Sequence, residues 1–427
     1  HRIPKHRSVL VLAFNRHIRD PLKADLADLP NIEVATLNGF GFQSVRRAAP
    51  GRIKVDPRKT GNVLRYQVMD GCSTEEQRGI YFSCVPAVSK VVGIRKALML
   101  FEDIPEDRLI QLLDAYNIDQ PEISSTLFND LINRTMEASL QDWTTIDFDD
   151  QLAYPIYHDL PVSEYDFILV DEAQDLSPVQ IELTKRALEP DEGRAIYCGD
   201  RKQAIYQFRG ADAAAMEHLE EDLSCSILPL SICYRCVSDI VALAKTIVPQ
   251  IETFDGAPTG AINNLVDDLT TYSPESGDMV LCRTTAPLVQ ECLRFIRQGK
   301  KAIVKGRDIG LSIKAFIKKV PGTDPTTEVE DFIDKLEIYV DTKKRELERQ
   351  RRRQALQTLD DKVDTVIALV TDSTLVVNDL NSSVDKIFSD AVTGISLMTV
   401  HKAKGLESDR VFIIHPELMP HPKAVDL

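Results

Sequence analysis

The sequence lacks the features that mark membrane-spanning and secreted proteins. No apolar run approaches the roughly 20 residues that a membrane helix needs, and the longest runs, such as Ser8–Phe14 and Phe167–Val170, have the length of strands. Eight cysteines in 427 residues are too few for a disulfide scaffold, which favours a reduced intracellular compartment. The chain opens on His1 without an initiator methionine or a signal-peptide core, as processed chains and fragments do.

Positively charged residues are fewer than negatively charged ones. The chain has 51 Lys and Arg against 66 Asp and Glu, a formal net charge of −15. This balance argues against a histone-like coat on nucleic acid. It does not argue against an enzyme that works on nucleic acid, because binding depends on where the basic residues cluster. Hydrophobic residues at 43% and charged residues at 27% are ordinary for a globular protein, and the length suggests about two or three domains.

A possible zinc-binding motif and a possible phosphate-binding motif are both incomplete. The segment Cys233-Tyr-Arg-Cys236 has Cys225 upstream, but no cysteine or histidine follows at zinc-ribbon or zinc-finger spacing before Cys282. A zinc site is therefore not expected. The phosphate-binding loop G-x-x-x-x-G-K-[S/T] is also missing. The nearest candidate, Gly299-Lys-Lys301, has arginine where the first glycine belongs and lysine where Ser or Thr belongs.

Short β-branched runs alternate with helical stretches, which is typical of a parallel-sheet α/β protein. Residues from about 46 to 140 and from about 311 to 390 break this pattern, and both are predicted to be mainly helical insertions into an α/β core. In the second insertion, the basic run Lys343–Arg353 is either a solvated helix face with i,i+4 charge pairs or a contact with duplex backbone. The predicted strands are Ser8–Phe14, Ile32–Leu37, Phe167–Val170, Ala195–Cys198, Ser226–Leu230, Asp278–Cys282, Ala302–Val304, Ile395–Val400 and Val411–Ile414.

The strongest chemical signal is the segment Phe167-Ile-Leu-Val-Asp-Glu-Ala-Gln-Asp175. An apolar strand places Asp171 and Glu172 at its carboxyl end, where open α/β sheets bind their ligands. One carboxylate can hold Mg²⁺, usually through water, while the other orients and deprotonates an attacking water. A lone acidic pair at a strand end would more often be part of a solvated loop, but Gln174 and Asp175 follow this one and a second motif accompanies it. The sequence therefore predicts a magnesium-dependent hydrolytic site in which one of the two carboxylates is the metal ligand.

A second motif, Tyr197–Asp212, follows the next predicted strand. Its Gln203 is expected within reach of whatever the acidic pair binds. Tyr206, Phe208 and Arg209 form an aromatic and cationic group suited to stacking on exposed bases, which contributes about 1–3 kcal/mol per base. Aromatic residues at this spacing are core filler in most proteins, but the preceding Gly-Asp-x-x-Gln frame favours a nucleic-acid contact here.

These two motifs resemble the Walker B motif and the third motif of the UvrD/Rep/PcrA-like superfamily 1 DNA helicases, and further matches follow in the family's order. Val9–Asn15 resembles the motif that places an aromatic residue, here Phe14, against single-stranded DNA. Ala35–Phe40 resembles the next segment, in which Thr36 would touch a phosphate; the family usually has histidine where this chain has Asn38. Thr145–Asp150 resembles the approach to Walker B.

Leu230–Arg235 resembles the fourth motif of the family. This resemblance accounts for the C-x-x-C segment without zinc. It implies that Tyr234 packs on the adenine and that Arg235 reaches the γ-phosphate as an arginine finger, a contribution worth about 10³–10⁵ in rate.

The fifth motif resembles Ile395–Glu407 and is nearly complete. The resemblance implies that Thr399 and His401 face nucleic acid, while Gly405 and Glu407 face the nucleotide. Outside such a motif, a histidine at this position would more often be a surface residue.

The resemblance implies two RecA-like parallel-sheet motor domains, each interrupted by a mainly helical insertion, with ATP and Mg²⁺ bound in the cleft between them. The first would span residues 1–220 with its insertion at about 46–140. The second would comprise 221–310 and 391–427, separated by a helical insertion domain at 311–390. Hydrolysis would drive movement along single-stranded DNA, by resemblance from 3′ to 5′.

The implied partners are single-stranded DNA or a junction of single and double strands, together with replication or repair proteins. Neither a membrane nor an oligomer is required, and the expected location is cytoplasmic, with association to the nucleoid when DNA is bound. In the family the missing phosphate-binding loop lies just before the Val9 strand, and a sixth motif follows soon after Glu407. The chain is therefore expected to begin inside the helix after that loop and to be inactive in ATP hydrolysis by itself.

Two alternatives stay open at this stage. The chain is a fragment of a longer ATPase, as the retained acidic pair favours, or it has lost the loop and serves as a non-catalytic DNA-binding or protein-interaction subunit. Within the enzyme class, it is also compatible with the helicase part of a helicase–nuclease. Repair, phage replication and plasmid maintenance are not distinguished, and RNA remains an alternative substrate to DNA.

Overall fold

The structure is a computed structural model that describes residues 4–13, 16–69, 75–116, 118, 120–121, 123–204, 215–263, 273–349, 353–371, 373–388 and 394–419. The chain divides into two compact units, His1–Pro229 and Leu230–Leu427. Each unit contains one four-stranded sheet, and every strand pair in both sheets is parallel. The predicted α/β fold class is confirmed.

The first unit contains six strands and nine helices within its described residues. The strands are β1 Val9–Ala13, β2 Ile32–Thr36, β3 Lys54–Val55, β4 Thr145–Ile146, β5 Phe167–Val170 and β6 Arg194–Tyr197. The helices are α1 Arg16–Asp25, α2 Leu37–Ala48, α3 Lys59–Val63, α4 Glu75–Ala97, α5 Glu106–Ala115, α6 Ser125–Gln141, α7 Asp150–Tyr157, α8 Pro178–Arg186 and α9 Ala215–Leu223.

The main sheet of this unit has the order β2-β1-β5-β6. Its inner strands β1 and β5 are apolar along their whole length because both of their faces are covered, as in other parallel sheets. The pairing puts Ala13 opposite Thr36, and Val170 opposite both Leu12 and Tyr197. The residues that follow these strands therefore meet at one edge of the sheet.

The predicted first insertion is helical and has a core of its own. It comprises α3 to α6, a π-helical turn at Leu64–Val68 and the two-stranded sheet β3-β4. Buried residues of this core include Leu64, Val88, Phe128 and Ile132. The sheet of the unit packs around a separate cluster that includes Leu10, Leu12 and Ile168.

A cluster of four buried charges joins the insertion to the segment before β5. The Lys59 Nζ lies 2.7 Å from one oxygen of Asp150, and the Lys96 Nζ lies 2.7 Å from the other. Lys96 also lies 3.6 Å from Asp147, and Tyr154 accepts a hydrogen bond from Lys59 at 2.8 Å. Burial lowers the pKa of Lys59 and Asp150 opposes that shift, so the lysine depends on its carboxylate to stay charged.

Asp150→Asn is expected to lower the free energy of unfolding by about 3–5 kcal/mol, because it leaves two buried ammonium groups with one carboxylate between them. The matched control is Asp130→Asn, which breaks an exposed pair with Arg134 and should cost about 0–1 kcal/mol. Urea unfolding followed by circular dichroism measures both. Equal effects of the two substitutions would contradict a structural role for the buried cluster.

The second unit contains six strands and seven helices within its described residues. The strands are β7 Ile232–Cys233, β8 Glu252–Thr253, β9 Met279–Cys282, β10 Ala302–Val304, β11 Ile395–Thr399 and β12 Val411–Ile413. The helices are α10 Ser238–Ala244, α11 Ala286–Arg297, α12 Arg307–Ile317, α13 Val329–Arg349, α14 Arg353–Leu369, α15 Val377–Ile387 and α16 Val400–Ala403.

The main sheet of the second unit has the order β10-β11-β9-β12, and β7 pairs with β8 in a separate two-stranded sheet. The predicted second insertion is helical, and it shares one core with the sheet: Phe332 of α13 and Leu380 of α15 belong to the same buried cluster as Val280 and Leu397. These helices therefore cover the sheet that they interrupt in sequence.

One predicted strand is wrong. Residues Ser226–Leu230 form no strand, and only the two residues of β7 do so a little later. Pro229 lacks the N–H that a ladder needs, and no partner strand covers the run within the described residues. Leu228 and Leu230 are 83% and 92% exposed as a result.

The part of the basic run that the structure describes is engaged in ion pairs. Lys343 contacts Glu346 at 2.6 Å and Lys344 contacts Asp360 at 2.7 Å, which favours the reading as a solvated helix face. Residues 350–352 lie outside the described residues, and the duplex contact stays a prediction. Across the ranges given above, no helix has both the length and the apolarity needed to cross a membrane.

Candidate nucleotide and nucleic-acid sites

The acidic pair lies at the carboxyl edge of the first sheet, as predicted. Asp171 directly follows β5, and its N–H donates to the carbonyl of Leu12 in the neighbouring strand at 3.2 Å. Its carboxylate is exposed and accepts the N–H of Glu172 at 2.9 Å. The strand therefore ends by presenting one carboxylate to solvent.

Glu172 has a left-handed backbone conformation, with φ 55° and ψ 41°. A residue with a side chain pays a steric cost there, and such conformations cluster at functional sites. The turn redirects the chain from the strand into the 3₁₀ turn Ala173–Asp175. As a result, the backbone bends sharply at Glu172, directly after Asp171.

Gln174 links Glu172 to the strand next to it. Its Nε2 donates to a carboxylate oxygen of Glu172 at 2.6 Å, and its Oε1 accepts the N–H of Asp200 at 3.0 Å. The side chain is buried, so both bonds are protected from water. Gly199 provides the room, because a Cβ at that position would lie 2.7 Å from the Gln174 Oε1.

Gln203 is held at the other end of the same chain of hydrogen bonds. Its Nε2 donates to Asp200 Oδ2 at 2.8 Å, while Asp200 Oδ1 accepts the N–H of Lys202 at 2.9 Å. Glu172, Gln174, Asp200 and Gln203 thus form one series of contacts, called here the carboxylate–amide chain. The structure brings the predicted catalytic residues Glu172 and Gln203 to the same edge through it.

Thr36 lies at the same edge, at the end of β2, and caps α2. Its hydroxyl oxygen accepts the N–H of Gly39 at 3.1 Å, which leaves the hydroxyl proton to donate elsewhere. Asn38 stands where a histidine is usual, and its Nδ2 donates to the carbonyl of Phe148 at 2.7 Å. That contact ties the start of α2 to the loop before α7.

The predicted nucleotide residues of the second unit form an ion pair. Arg235 Nε lies 2.8 Å from a carboxylate oxygen of Glu407, and both side chains are largely exposed. Tyr234 is exposed and its ring lies 4.9 Å from that of Phe254, at an angle of 41°. Gly405 has φ 79°, a conformation that glycine adopts without strain, just before Glu407.

Thr399 and His401 lie at the carboxyl end of β11, beside the end of β9. The register pairs Thr399 with Cys282, so Arg283 follows at the neighbouring position. Burial lowers the pKa of His401, and the positive charge of Arg283 lowers it further. Both effects favour the neutral form of the ring.

Four predicted DNA-contacting residues, Phe14, Tyr206, Phe208 and Arg209, lie outside the described residues. Among the residues that are described, no group of three or more His, Cys, Asp and Glu side chains is placed to hold a metal ion. A single exposed carboxylate at Asp171 nevertheless fits Mg²⁺, because magnesium at phosphoryl-transfer sites takes only one or two carboxylates together with water and substrate phosphates.

Both units have the architecture of α/β proteins that bind ligands at the carboxyl edge of a parallel sheet, and the first places an acidic pair there. Residues 94–224 match the UvrD/REP helicase N-terminal domain, and residues 300–426 match the UvrD-like helicase C-terminal domain. The chain belongs to the UvrD-like helicase family. The first matched range contains the carboxylate–amide chain and the second contains Thr399 to Glu407, whereas Tyr234 and Arg235 fall between them.

Two curated relatives show local similarity. The chain is 28% identical over 123 residues to a putative ATP-dependent DNA helicase, YjcD, of Bacillus subtilis, which is 27% of this chain and 16% of that protein. It is 47% identical over 53 residues to F-box DNA helicase protein 1 of Schizosaccharomyces pombe, which is 12% of this chain and 6% of that protein. The chain thus matches only a small part of the length of either relative.

Sequence reasoning named Glu172 and Gln203 but missed what connects them. Gln174 and Asp200 both lie within the quoted motifs but had no role assigned to them, and they are 26 residues apart in sequence. The available signal was their fixed position within the two motifs: Gln174 comes two residues after Glu172, and Asp200 comes three residues after the end of β6. The segment Leu281–Thr284 resembles a weaker landmark of the family, but Arg283 had no role assigned to it, because only the strand register brings it beside His401.

Proposed function

We propose that this chain forms the motor part of a DNA helicase, which hydrolyses Mg²⁺-bound ATP and moves along single-stranded DNA. The observation that carries the proposal is Glu172, which stands in a strained conformation at the sheet edge, beside an exposed Asp171 and in hydrogen-bond connection with Gln203. A carboxylate fixed in this way is suited to orient and deprotonate water.

The two motor domains of the proposal follow the boundaries expected from the sequence. The first comprises residues 1–220, with the insertion at about 46–140. The second comprises 221–310 and 391–427, and 311–390 is the helical insertion domain. The break between compact units falls after Pro229, nine residues beyond the proposed limit of the first domain at residue 220.

In the proposed reaction, Asp171 holds Mg²⁺, which supplies charge neutralisation on the phosphates when it is bound. Glu172 takes the proton of the attacking water. Gln203 contacts the terminal phosphate. Hydrogen bonds through Asp200 and Gln174 connect it to Glu172, so a shift of the Gln203 side chain can change the position of the Glu172 carboxylate.

The second unit contributes further nucleotide contacts. Arg235 compensates the charge on the transferred phosphoryl group, Tyr234 packs on the base, and Gly405 and Glu407 line the nucleotide. Arg235 is held by Glu407 in the structure, so we propose that the γ-phosphate competes with Glu407 for the guanidinium.

For DNA, we propose phosphate contacts through the hydroxyls of Thr36 and Thr399 and the neutral ring of His401. The side chains proposed to stack on the bases are Phe14, Tyr206, Phe208 and Arg209. Affinity for single strands is then expected to fall steeply with salt, since phosphate contacts release counterions. Movement from 3′ to 5′ is proposed from family resemblance alone.

The test is ATP hydrolysis by the protein expressed from its complete gene, with and without single-stranded DNA. Strong stimulation by single strands, with little by duplex, would support a DNA motor. Stimulation by RNA instead would change the substrate but keep the motor. DNA binding without any hydrolysis would overturn the motor and leave a DNA-binding subunit.

A further inference from the structure

Asn38 connects the start of α2 to the loop between β4 and α7. Its side chain is half-buried, and its Nδ2 donates to the carbonyl of Phe148 at 2.7 Å. Asn38 lies in the first turn of α2, and Thr36 is the N-cap of that helix. The bond therefore acts on the helix end at which Thr36 presents the hydroxyl proposed to contact phosphate.

The acceptor of this bond belongs to a loop that the insertion holds in place. Asp147 and Asp150 each donate a backbone N–H to the carboxylate of the other at 2.9 Å. Thr60 of the insertion donates its hydroxyl to Asp147 at 2.6 Å, and the two buried lysines of the insertion hold Asp150. Because both aspartates are buried, these contacts are shielded from water. The carbonyl of Phe148 is thus fixed relative to the insertion.

A second contact joins α2 to the backbone just after this loop. A Cβ at Gly41 would overlap the carbonyl oxygen of Gln151, so only glycine lets the helix approach so closely. The helix is thereby held one turn beyond its start. The remaining contact, the bond from Asn38, decides how the first turn and the hydroxyl of Thr36 are oriented.

We propose that Asn38 is a positioning residue for single-stranded DNA. Its amide holds the first turn of α2 against the 147–150 loop, and this contact keeps the Thr36 hydroxyl where it can donate to a phosphate. The insertion thus influences the affinity for DNA through Thr60 and the buried charges, without touching the strand itself. The inference rests on the DNA contact of the proposed function and is independent of ATP hydrolysis.

Asn38→Leu tests the bond, because leucine has nearly the shape of asparagine but neither a donor nor a charge. The matched control is Asn31→Leu, just before the other end of β2, where the Nδ2 of Asn31 donates to the carbonyl of Arg7 at 2.8 Å. Each change removes one side-chain bond to a backbone carbonyl from a half-buried position. Only Asn38 lies at the carboxyl edge of the sheet.

Fluorescence anisotropy of a labelled oligothymidylate, with the protein expressed from its complete gene and without ATP, measures the affinity. Asn38→Leu is expected to weaken binding by about 3–10-fold, the equivalent of one hydrogen bond, while Asn31→Leu leaves it unchanged. Thermal unfolding should shift by similar amounts in the two variants. At saturating DNA, Asn38→Leu should keep the kcat of ATP hydrolysis and raise only the DNA concentration that gives half the maximal rate.

Asn38→His adds a result that a purely structural role would not produce. The imidazole Nδ1 is as many bonds from the backbone as the Nδ2 of asparagine, so a neutral ring can donate to the carbonyl of Phe148. At pH 8 this variant should bind DNA as the unsubstituted protein does. Relative to that protein, its binding should tighten as the pH falls through about 6.5, where the ring gains a positive charge near the phosphate.

Three results would overturn the inference: unchanged DNA affinity in Asn38→Leu, an equal loss in Asn31→Leu, or no recovery in Asn38→His at pH 8. The unsubstituted protein separates these results from a failure of the proposed function. DNA binding without ATP hydrolysis, together with the expected differences among the variants, would overturn the motor and leave the role of Asn38 standing. Absence of DNA binding would overturn both.

Discussion

Glu172→Gln is expected to lower DNA-stimulated ATP hydrolysis by about 10²–10⁴-fold, the usual contribution of a general base. The amide has the size and shape of the carboxylate, so it can stay at the strained turn and keep a hydrogen bond to Gln174. It cannot take a proton from water at neutral pH. The loss should therefore fall on kcat, with nucleotide and DNA affinity nearly unchanged.

The matched control is Glu221→Gln, which makes the same change on the exposed surface of α9 in the same unit. Steady-state turnover with saturating single-stranded DNA measures both variants, and nucleotide binding is followed separately. A Glu172→Gln protein that hydrolyses ATP at the unsubstituted rate would remove Glu172 from the reaction. Equal losses in both variants would point to damage unrelated to the sheet edge.

Arg235→Ala is expected to lower turnover by about 10³–10⁵-fold, the range measured for arginine fingers. Its ion pair with Glu407 is exposed, so its loss should cost at most about 1 kcal/mol of stability. Arg235→Lys should recover only part of the activity, because lysine keeps the charge but lacks the planar fork of donors.

Arg297→Ala, at the exposed end of α11, serves as the control for removing an arginine from this unit. Single-turnover hydrolysis and thermal unfolding distinguish the two roles open to Arg235. A catalytic role predicts slow chemistry at unchanged melting temperature. If Arg235→Ala and Glu407→Gln gave the same modest loss, Arg235 would act only as the partner of Glu407.

The strands were predictable because parallel sheets bury both faces of their inner strands and so leave short apolar runs in the sequence. Phe167–Val170 is such a run, and its bounds agree with the prediction. Ser226–Leu230 is also a short and mainly apolar run, but it contains a proline and has no partner strand within the described residues. Composition alone does not show which run will pair with a neighbouring strand.

The candidate site was only partly predictable. The position of Asp171 and Glu172 follows from the end of one strand, which is local information. The bond from Gln174 to Asp200 joins two neighbouring strands, and the pair of Arg235 and Glu407 joins distant segments, so both depend on the register and packing of the folded chain. The left-handed turn at Glu172 is likewise set by tertiary contacts, since glutamate has no preference for it.

The buried charge cluster limits which rearrangements of the gene can still give a folded protein. Its members are Lys59, Lys96, Asp147 and Asp150. The two lysines belong to helices of the insertion, whereas the two aspartates belong to the segment that leads back to the sheet. A gene rearrangement that removed the insertion as a block would leave two carboxylates in apolar surroundings without a cation. The insertion and the rest of the unit therefore depend on each other for charge compensation. An exchange of the insertion between related proteins has to transfer the lysines and the aspartates together.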